Sequence, residues 1–328
     1  MTDDTAQPAA ITLGDNTIYA MPLAEGGLLL VDAGPDFEGA WEAAVRQAAG
    51  HGFAPADVRT VLVTHAHIDH AGLAHRWAEA GARILAGAAD LPALTREGPR
   101  SESTRDARRD ELLRHGCPED VLMAMRTPRR VFEMRWSAPP PGAIQAAEDG
   151  ATFTLDGGAT LRVVAAPGHT PGNLVAFVEA QGDLYSGDTL LPGGIPTPGL
   201  HFPEGAENAR WASLPRFTAS VSQLRALEPR RVLPGHGEAV DNPERLFARF
   251  LRHQERRQRR IRTLLETQAD SAFGLVRRLF RHLPDERVGQ AMTETIGHLD
   301  ALAERGEVTS EADADGVLVF SPVAEAAS

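Results

Sequence analysis

The sequence predicts an α/β layered domain followed by a winged-helix module. Three observations predict it. Apolar strands alternate with helical segments from residue 11 to 86, as layered α/β domains require. Strands resume between 151 and 233 with one further helix. After Asp241 the composition changes, and three helical segments lead into a terminal hairpin.

Taken in order, the first ten residues are polar and read as frayed. Residues 11–31 alternate apolar stretches with turns at Gly14-Asp15-Asn16 and Glu25-Gly26-Gly27, the pattern of short antiparallel strands. The last of these strands is apolar on both faces and ends at Asp32-Ala33-Gly34. A helix over 37–51 stops at Gly50 and Gly52. A strand at 58–64, a helix at 70–80 and a strand at 83–86 follow. Residues 88–147 break this rhythm: 96–110 is charged, 111–126 has helical spacing, and Pro139-Pro140-Pro141-Gly142 closes the stretch. It reads as an inserted helical lid or dimer arm. Strands are expected at 151–155, 161–165, 174–178 and 184–186, then a helix at 211–227 and a short strand at 232–233. A long helix over 243–268 carries Arg249, Arg252, Arg256, Arg257, Arg259, Arg260 and Arg262. Helical spacing recurs at 271–279 and 285–305, and a hairpin turns near Asp315-Gly316. The expected domains are 1–242 and 243–328.

The 328 residues carry a net charge of −12, which argues against a general binder of nucleic acid or anionic membrane. A single cysteine, Cys117, excludes a disulfide framework and a cysteine-ligated zinc knuckle. It lies in the insert and is expected to be inert. No apolar run approaches the ~20 residues of a membrane span, and the N-terminus lacks the basic and apolar regions of a secretory signal. A cytoplasmic protein is expected. There is no lysine, so all 33 basic residues are arginine. GC-rich coding is the ordinary reading; avoidance of a primary amine near an acylating substrate is the sharper one.

The chemistry is concentrated in Thr64-His65-Ala66-His67-Ile68-Asp69-His70, on a turn between a strand and a helix. Imidazole and carboxylate are ligands that zinc, iron and manganese accept. His65 and His67 can face one metal while Asp69 and His70 face a second. Three more ligand-type residues share one context, each just after a buried strand. They are His169 in a Gly/Pro-rich loop, Asp188 after Tyr185-Ser186-Gly187, and His236 after Leu233-Pro234-Gly235. Side chains at strand ends converge on one edge of the sheet layer, where a rigid scaffold can build a site.

The motif H-x-H-x-D-H, followed by His, Asp and His in these contexts, resembles the metallo-β-lactamase fold superfamily over residues 11–241. The resemblance implies a four-layer αββα sandwich with a dinuclear metal site. It implies that His65, His67 and His169 hold the first metal, that Asp69, His70 and His236 hold the second, and that Asp188 bridges both. Asp32 matches a recurring acidic position that supports the site from behind. The tail resembles the winged-helix domain of glyoxalase-II-like hydrolases and of the beta-lactamase-like protein 2 family. A bridging aspartate resembles glyoxalase II, the acyl-homoserine lactonases and the tRNA-processing nucleases more than true β-lactamases. The glutathione-binding residues of glyoxalase II have no counterpart here.

The implied reaction is hydrolysis of a thioester or lactone by a hydroxide bridging two divalent ions, with Asp69 as the catalytic carboxylate. Zinc is the default metal, with iron or manganese as alternatives. The expected partner is a small-molecule acyl substrate. Nucleic acid and membrane are disfavoured, and the inserted arm suggests a homodimer. The leading alternative is cleavage of single-stranded RNA along the Arg-rich helix. Against it, those arginines are expected to spread around the helix and no aromatic cluster is present to stack bases. Phe273, Phe280 and Phe320 are expected in the core of the C-terminal module. Persulfide dioxygenation and β-lactam hydrolysis rank lower. Phe132, Met134, Trp136, Phe202 and Trp211 are candidate pocket residues, and the loop 190–199 is a candidate wall of the cleft.

Overall fold

A computed structural model describes residues 8–95, 102–125, 133–202 and 210–323. Two six-stranded sheets dominate it. The first runs in spatial order β1 (Ala9–Leu13), β2 (Asn16–Pro22), β3 (Leu28–Val31), β4 (Val58–Leu62), β5 (Arg83–Gly87) and β6 (Ile144–Ala147). The glycine turns make β1, β2 and β3 antiparallel neighbours, and from β3 to β6 the pairing is parallel. The second runs β12 (Val240–Asp241), β11 (Arg231–Pro234), β10 (Asp183–Gly187), β9 (Leu174–Val178), β8 (Thr160–Ala165) and β7 (Thr152–Thr154).

Three apolar clusters order the layers. Between the sheets, Tyr19, Leu29, Val31 and Leu62 of the first meet Leu161, Val163, Ala176 and Leu233 of the second. The other face of the first sheet is covered by α1 (Ala40–Gly50) and by α3 (Ala74–Glu79) with the fully buried Trp77. The other face of the second sheet is covered by α7 (Ser213–Arg225) and the start of α8 (Glu244–Thr267), through Phe217, Phe247 and Phe250. The central strands are apolar on both faces because both faces are covered. The result is the expected αββα sandwich.

A fourth cluster lies at the C-terminal end. It joins the second half of α8 to α9 (Ala272–Leu279), α10 (Asp285–Glu304) and a small sheet of β13 (Asp270–Ser271), β15 (Leu318–Pro322) and β14 (Val308–Ala312). Phe273, Phe280 and Phe320 all pack there, as expected. α8 therefore belongs to two cores: Leu246, Phe247 and Phe250 serve the sandwich, and Ile261 and Leu265 serve the tail.

The structure differs from the sequence-based reading in two places. The helix expected over 70–80 is two short ones, α2 (Ile68–Ala71) and α3. The break falls at Gly72, where a Cβ would lie 2.5 Å from the Asp36 amide nitrogen. The stretch 88–147 is not helical throughout, since its end forms β6 on the edge of the first sheet. Its helices α4 (Leu91–Thr95), α5 (Glu102–Arg114) and α6 (Glu119–Ala124) are separate, with α5 and α6 parted at Gly116-Cys117-Pro118. Leu112 and Cys117 pack into the C-terminal cluster, and His115 stacks on Phe320 at 5.7 Å. That contact accounts for the insert's apolar face within one chain. On α8, Arg256, Arg257 and Arg260 line one cavity with His253, while Arg249 reaches the loop 190–199 and Arg262 reaches Glu266 and Glu307. Among the described residues no helix is long and apolar enough to cross a membrane.

Candidate metal centre

The ligand-type residues all sit just beyond strand ends. β4 delivers His65 and His67, and α2 carries Asp69 and His70. β8, β10 and β11 deliver His169, Asp188 and His236. Three groups of donors come within 4.8 Å of one another: His65, His67 and His169; Asp69, His70 and His236; and His65, His70 and Asp188.

The outer nitrogens explain the aim of the inner ones. Nδ1 of His70 donates to Asp32 Oδ2 at 2.8 Å, that of His169 to the Thr197 carbonyl at 3.1 Å, and that of His236 to the Asp15 carbonyl at 3.1 Å. His65 Nδ1 lies 3.0 Å from the Thr64 hydroxyl. Each bond fixes the ring and leaves Nε2 pointing into the cluster. His67 presents Nδ1 instead, 3.0 Å from Nε2 of both His65 and His169. Lone pairs crowded at such distances suit a shared cation better than one another.

Asp188 lies between the groups. Its Oδ1 is 3.3 Å from His70 Nε2 and 3.5 Å from His236 Nε2, while its Oδ2 is 3.7 Å from His169 Nε2. Oδ1 is buried with no hydrogen-bond partner in the described structure. A buried carboxylate oxygen left unpaired is costly. The donor set and this orphaned oxygen both fit a pair of divalent ions. Asp69 Oδ2 lies 3.4 Å from His236 Nε2, at the edge of the second group.

Charge favours the same reading at the first donor group and at the two carboxylates. Burial pushes His67 and His169 down to about 4, and pushes His65 well below its ordinary range. These imidazoles are neutral, as ligands must be. Burial opposes ionisation of Asp69 and Asp188, but the surrounding histidines hold both well below the usual carboxylate range. Burial likewise opposes a charged His70, yet Asp188 and Asp32 raise it well above its ordinary value.

Two neighbours were not singled out from the sequence. Asp90, 3% exposed, accepts from the Ala66 amide at 2.9 Å, the Gly172 amide at 2.8 Å and the Thr170 hydroxyl at 2.7 Å. It ties the loop of His65 to the loop of His169. The available signal was its position just after strand β5, the context shared by Asp32 and Asp188. His201 Nε2 lies 2.9 Å from the His169 carbonyl. Asp32, singled out, sits at φ 68° and also accepts the Thr64 amide at 2.8 Å. Gly235 is required by space, because a Cβ there would lie 2.5 Å from His70 Cε1.

The pocket candidates separate. Trp136 packs against the outer core of the first sheet and Phe202 against the C-terminal cluster. Met134 is buried. Trp211 lies edge-on to His201 at 6.0 Å, one residue removed from the ligand loop. Phe132 lies outside the described residues. The loop 190–199 does border the cluster, through the Thr197 carbonyl and through Pro192 beside Gly237.

The family model described as "Metallo-beta-lactamase superfamily" matches residues 13–236, which hold the whole donor set. The chain belongs to the metallo-beta-lactamase superfamily. A second model, "Metallo-beta-lactamase-like, C-terminal domain", matches 259–323. The chain is 27% identical over 304 residues to "Probable metallo-hydrolase YqjP" of Bacillus subtilis, covering 92% of each chain. It is 25% identical to the "Beta-lactamase-like protein 2 homolog" of Drosophila melanogaster, across 50% of this chain and 52% of that one. Among solved structures, the metallo-beta-lactamase family protein TTHA1429 from Thermus thermophilus superposes with a TM-score of 0.77. It shares 26% identity, covering 97% of this chain and 98% of that one. The superfamily generally binds metal ions, and the donor groups here are of the types it uses.

Proposed function

We propose that this superfamily member is a dinuclear metal-dependent hydrolase of thioesters or lactones, of the glyoxalase-II-like kind. The observation that carries the proposal is Asp188, whose two oxygens face the two donor groups separately. His65, His67 and His169 would hold one ion, and Asp69, His70 and His236 the other. When bound, such a pair lowers the pKa of water toward neutrality and polarises an acyl carbonyl.

The chain's own residues do the rest. Asp69 stays ionised near neutral pH and stands at the rim of the cluster, where it can orient the attacking water and accept its proton. Asp32 and Asp90 hold the ligand loops so that nothing reorganises when charge develops. The loop 190–199 screens one side of the cleft. Cys117 plays no part: burial pushes its thiol up to about 11, and it lies in the C-terminal cluster.

The acyl assignment draws support from two fungal relatives. Similarity reaches 33% identity over 41% of this chain with "Thioesterase pkgB" of Emericella nidulans, and 24% over 73% with "Atrochrysone carboxyl ACP thioesterase" of Aspergillus fumigatus. The order α8, β13, α9, α10, β14, β15 supports a winged-helix reading of the tail, with domains 1–242 and 243–328. The arginines of α8 weigh against an RNA groove. Arg249 bonds the carbonyls of Leu191, Pro192 and Gly194, Arg257 bonds Glu294, and Arg262 reaches Glu266 and Glu307.

The test is thiol release from acyl-CoA and acyl-glutathione thioesters by zinc-loaded protein, beside lactones and single-stranded RNA. Turnover of a thioester or lactone that Asp69→Ala abolishes supports the reading. Cleavage of RNA alone overturns it.

A further inference from the structure

A second cluster of metal-ligand residues lies far from the strand-edge site in sequence. His253 on α8 and Glu294 and His298 on α10 bring three donor atoms within 4.8 Å of one another. Glu294 and His298 are four residues apart, so they project from one face of α10. His253 faces them from the crossing helix.

The anomaly is His298. It is 0% exposed, and neither ring nitrogen has a hydrogen-bond partner in the described structure. Its Nε2 stops 3.7 Å from Glu294 Oε1, beyond a hydrogen bond, while His253 Nε2 stands 3.2 Å from the same oxygen. Native proteins rarely leave a fully buried ring nitrogen unpaired, and an ion is one of the few explanations. Burial lowers the pKa of His298, so the ring is neutral and able to ligate. Ligands about 2.0–2.1 Å from one tetrahedral ion stand roughly 3.4 Å apart. The two spacings to Glu294 bracket that figure.

We propose that His253, Glu294 and His298 form a further, mononuclear site for a first-row divalent ion such as zinc, separate from the strand-edge cluster. Two imidazoles and a carboxylate are a sufficient protein ligand set that leaves a fourth position open. A cavity of about 320 Å³, lined by His253, Arg256, Arg257 and Arg260, provides the way in. Its arginines favour an anionic fourth ligand, a phosphate or carboxylate.

Arg257, the arginine bonded to Glu294, opposes a cation most directly, with Arg256 and Arg260 beside it in the cavity. Its Nε lies 3.1 Å from Glu294 Oε1, and its guanidinium also stands over the Phe280 ring at 4.6 Å. The aromatic face offers it a second seat when the carboxylate oxygen turns to the ion. The inference does not depend on the reaction proposed for the strand-edge cluster.

The experiment compares the metal content of the full chain and its variants after zinc loading and desalting, by elemental analysis. His253→Gln should carry one equivalent fewer than wild type, at an unchanged circular dichroism spectrum. His298→Asn should do the same. If the buried position does not tolerate Asn, the half-buried His253 decides alone. Folded His253→Gln with wild-type metal content overturns the site. Titration of Arg257→Leu with zinc provides an independent arm. Removing the opposing charge should tighten this site about tenfold. Weaker zinc binding there would mean that the cluster is only an ion-pair lattice, and would overturn the proposal.

Discussion

His65, His70, His169 and His236 each use one nitrogen to aim the other, so residues behind the ligands should matter almost as much as the ligands. Asp188→Ala removes the group between the two donor sets. At least one metal equivalent and nearly all hydrolysis should be lost; full dinuclear occupancy with normal turnover would sink the bridging assignment. Asp90→Ala leaves two buried amides and a hydroxyl without an acceptor. At roughly 1–3 kcal/mol for each orphaned group, we expect several kcal/mol lost in denaturant unfolding. Metal affinity should fall about 10–100-fold, the usual range when a supporting partner is removed. A variant that keeps both stability and metal would show that the loops hold themselves.

At the scale of elements, the insert and the tail are joined by a buried ion network. Arg210 donates to Glu111 on α5 at 2.7 Å and to both oxygens of Asp300 on α10. Removing one partner of a buried pair strands the other charges, so Arg210→Leu should cost about 3–5 kcal/mol, read as a drop in unfolding midpoint. Truncation after 242 tests how far the start of α8, which packs on the sandwich, is needed by the first domain. It removes Phe247 and Phe250 from the sandwich, each worth about 3–5 kcal/mol when truncated to alanine. The truncated protein should aggregate, whereas a chain ending near 258 keeps both rings and should fare better. Equal solubility of the two would show that α8 contributes little to the sandwich.

For the whole molecule, acid should loosen the packing of insert on tail. Burial would raise the pKa of Glu111, but His115 and Arg210 outweigh it and hold the carboxyl at about 2, against an ordinary 4.5. A depressed carboxylate stabilises the fold fully above its unfolded value and loses that contribution as pH falls through the folded one. Between pH 4.5 and 2, wild type should therefore lose roughly 2–3 kcal/mol more than Glu111→Gln. Thermal melts across that window give the comparison, and parallel curves would refute the linkage. Hydrolysis of a small acyl substrate should also change little with salt, while capture of a nucleic acid would weaken steeply.

The sequence by itself determined the sandwich and the seven ligand-type positions. Strand periodicity, glycine turns and strand-end histidines are local signals, and residues just past the ends of neighbouring strands converge on one sheet edge. Asp32 was legible for the same reason, and Asp90 could have been. Tertiary structure decided the rest. Position 72 must be glycine because another segment of backbone passes too close for a Cβ. Residues 144–147 become a strand because β5 offers them an edge. α8 serves two cores because its length spans both. His253, Glu294 and His298 meet only because two helices distant in sequence cross there, and no pattern along the chain encodes that crossing.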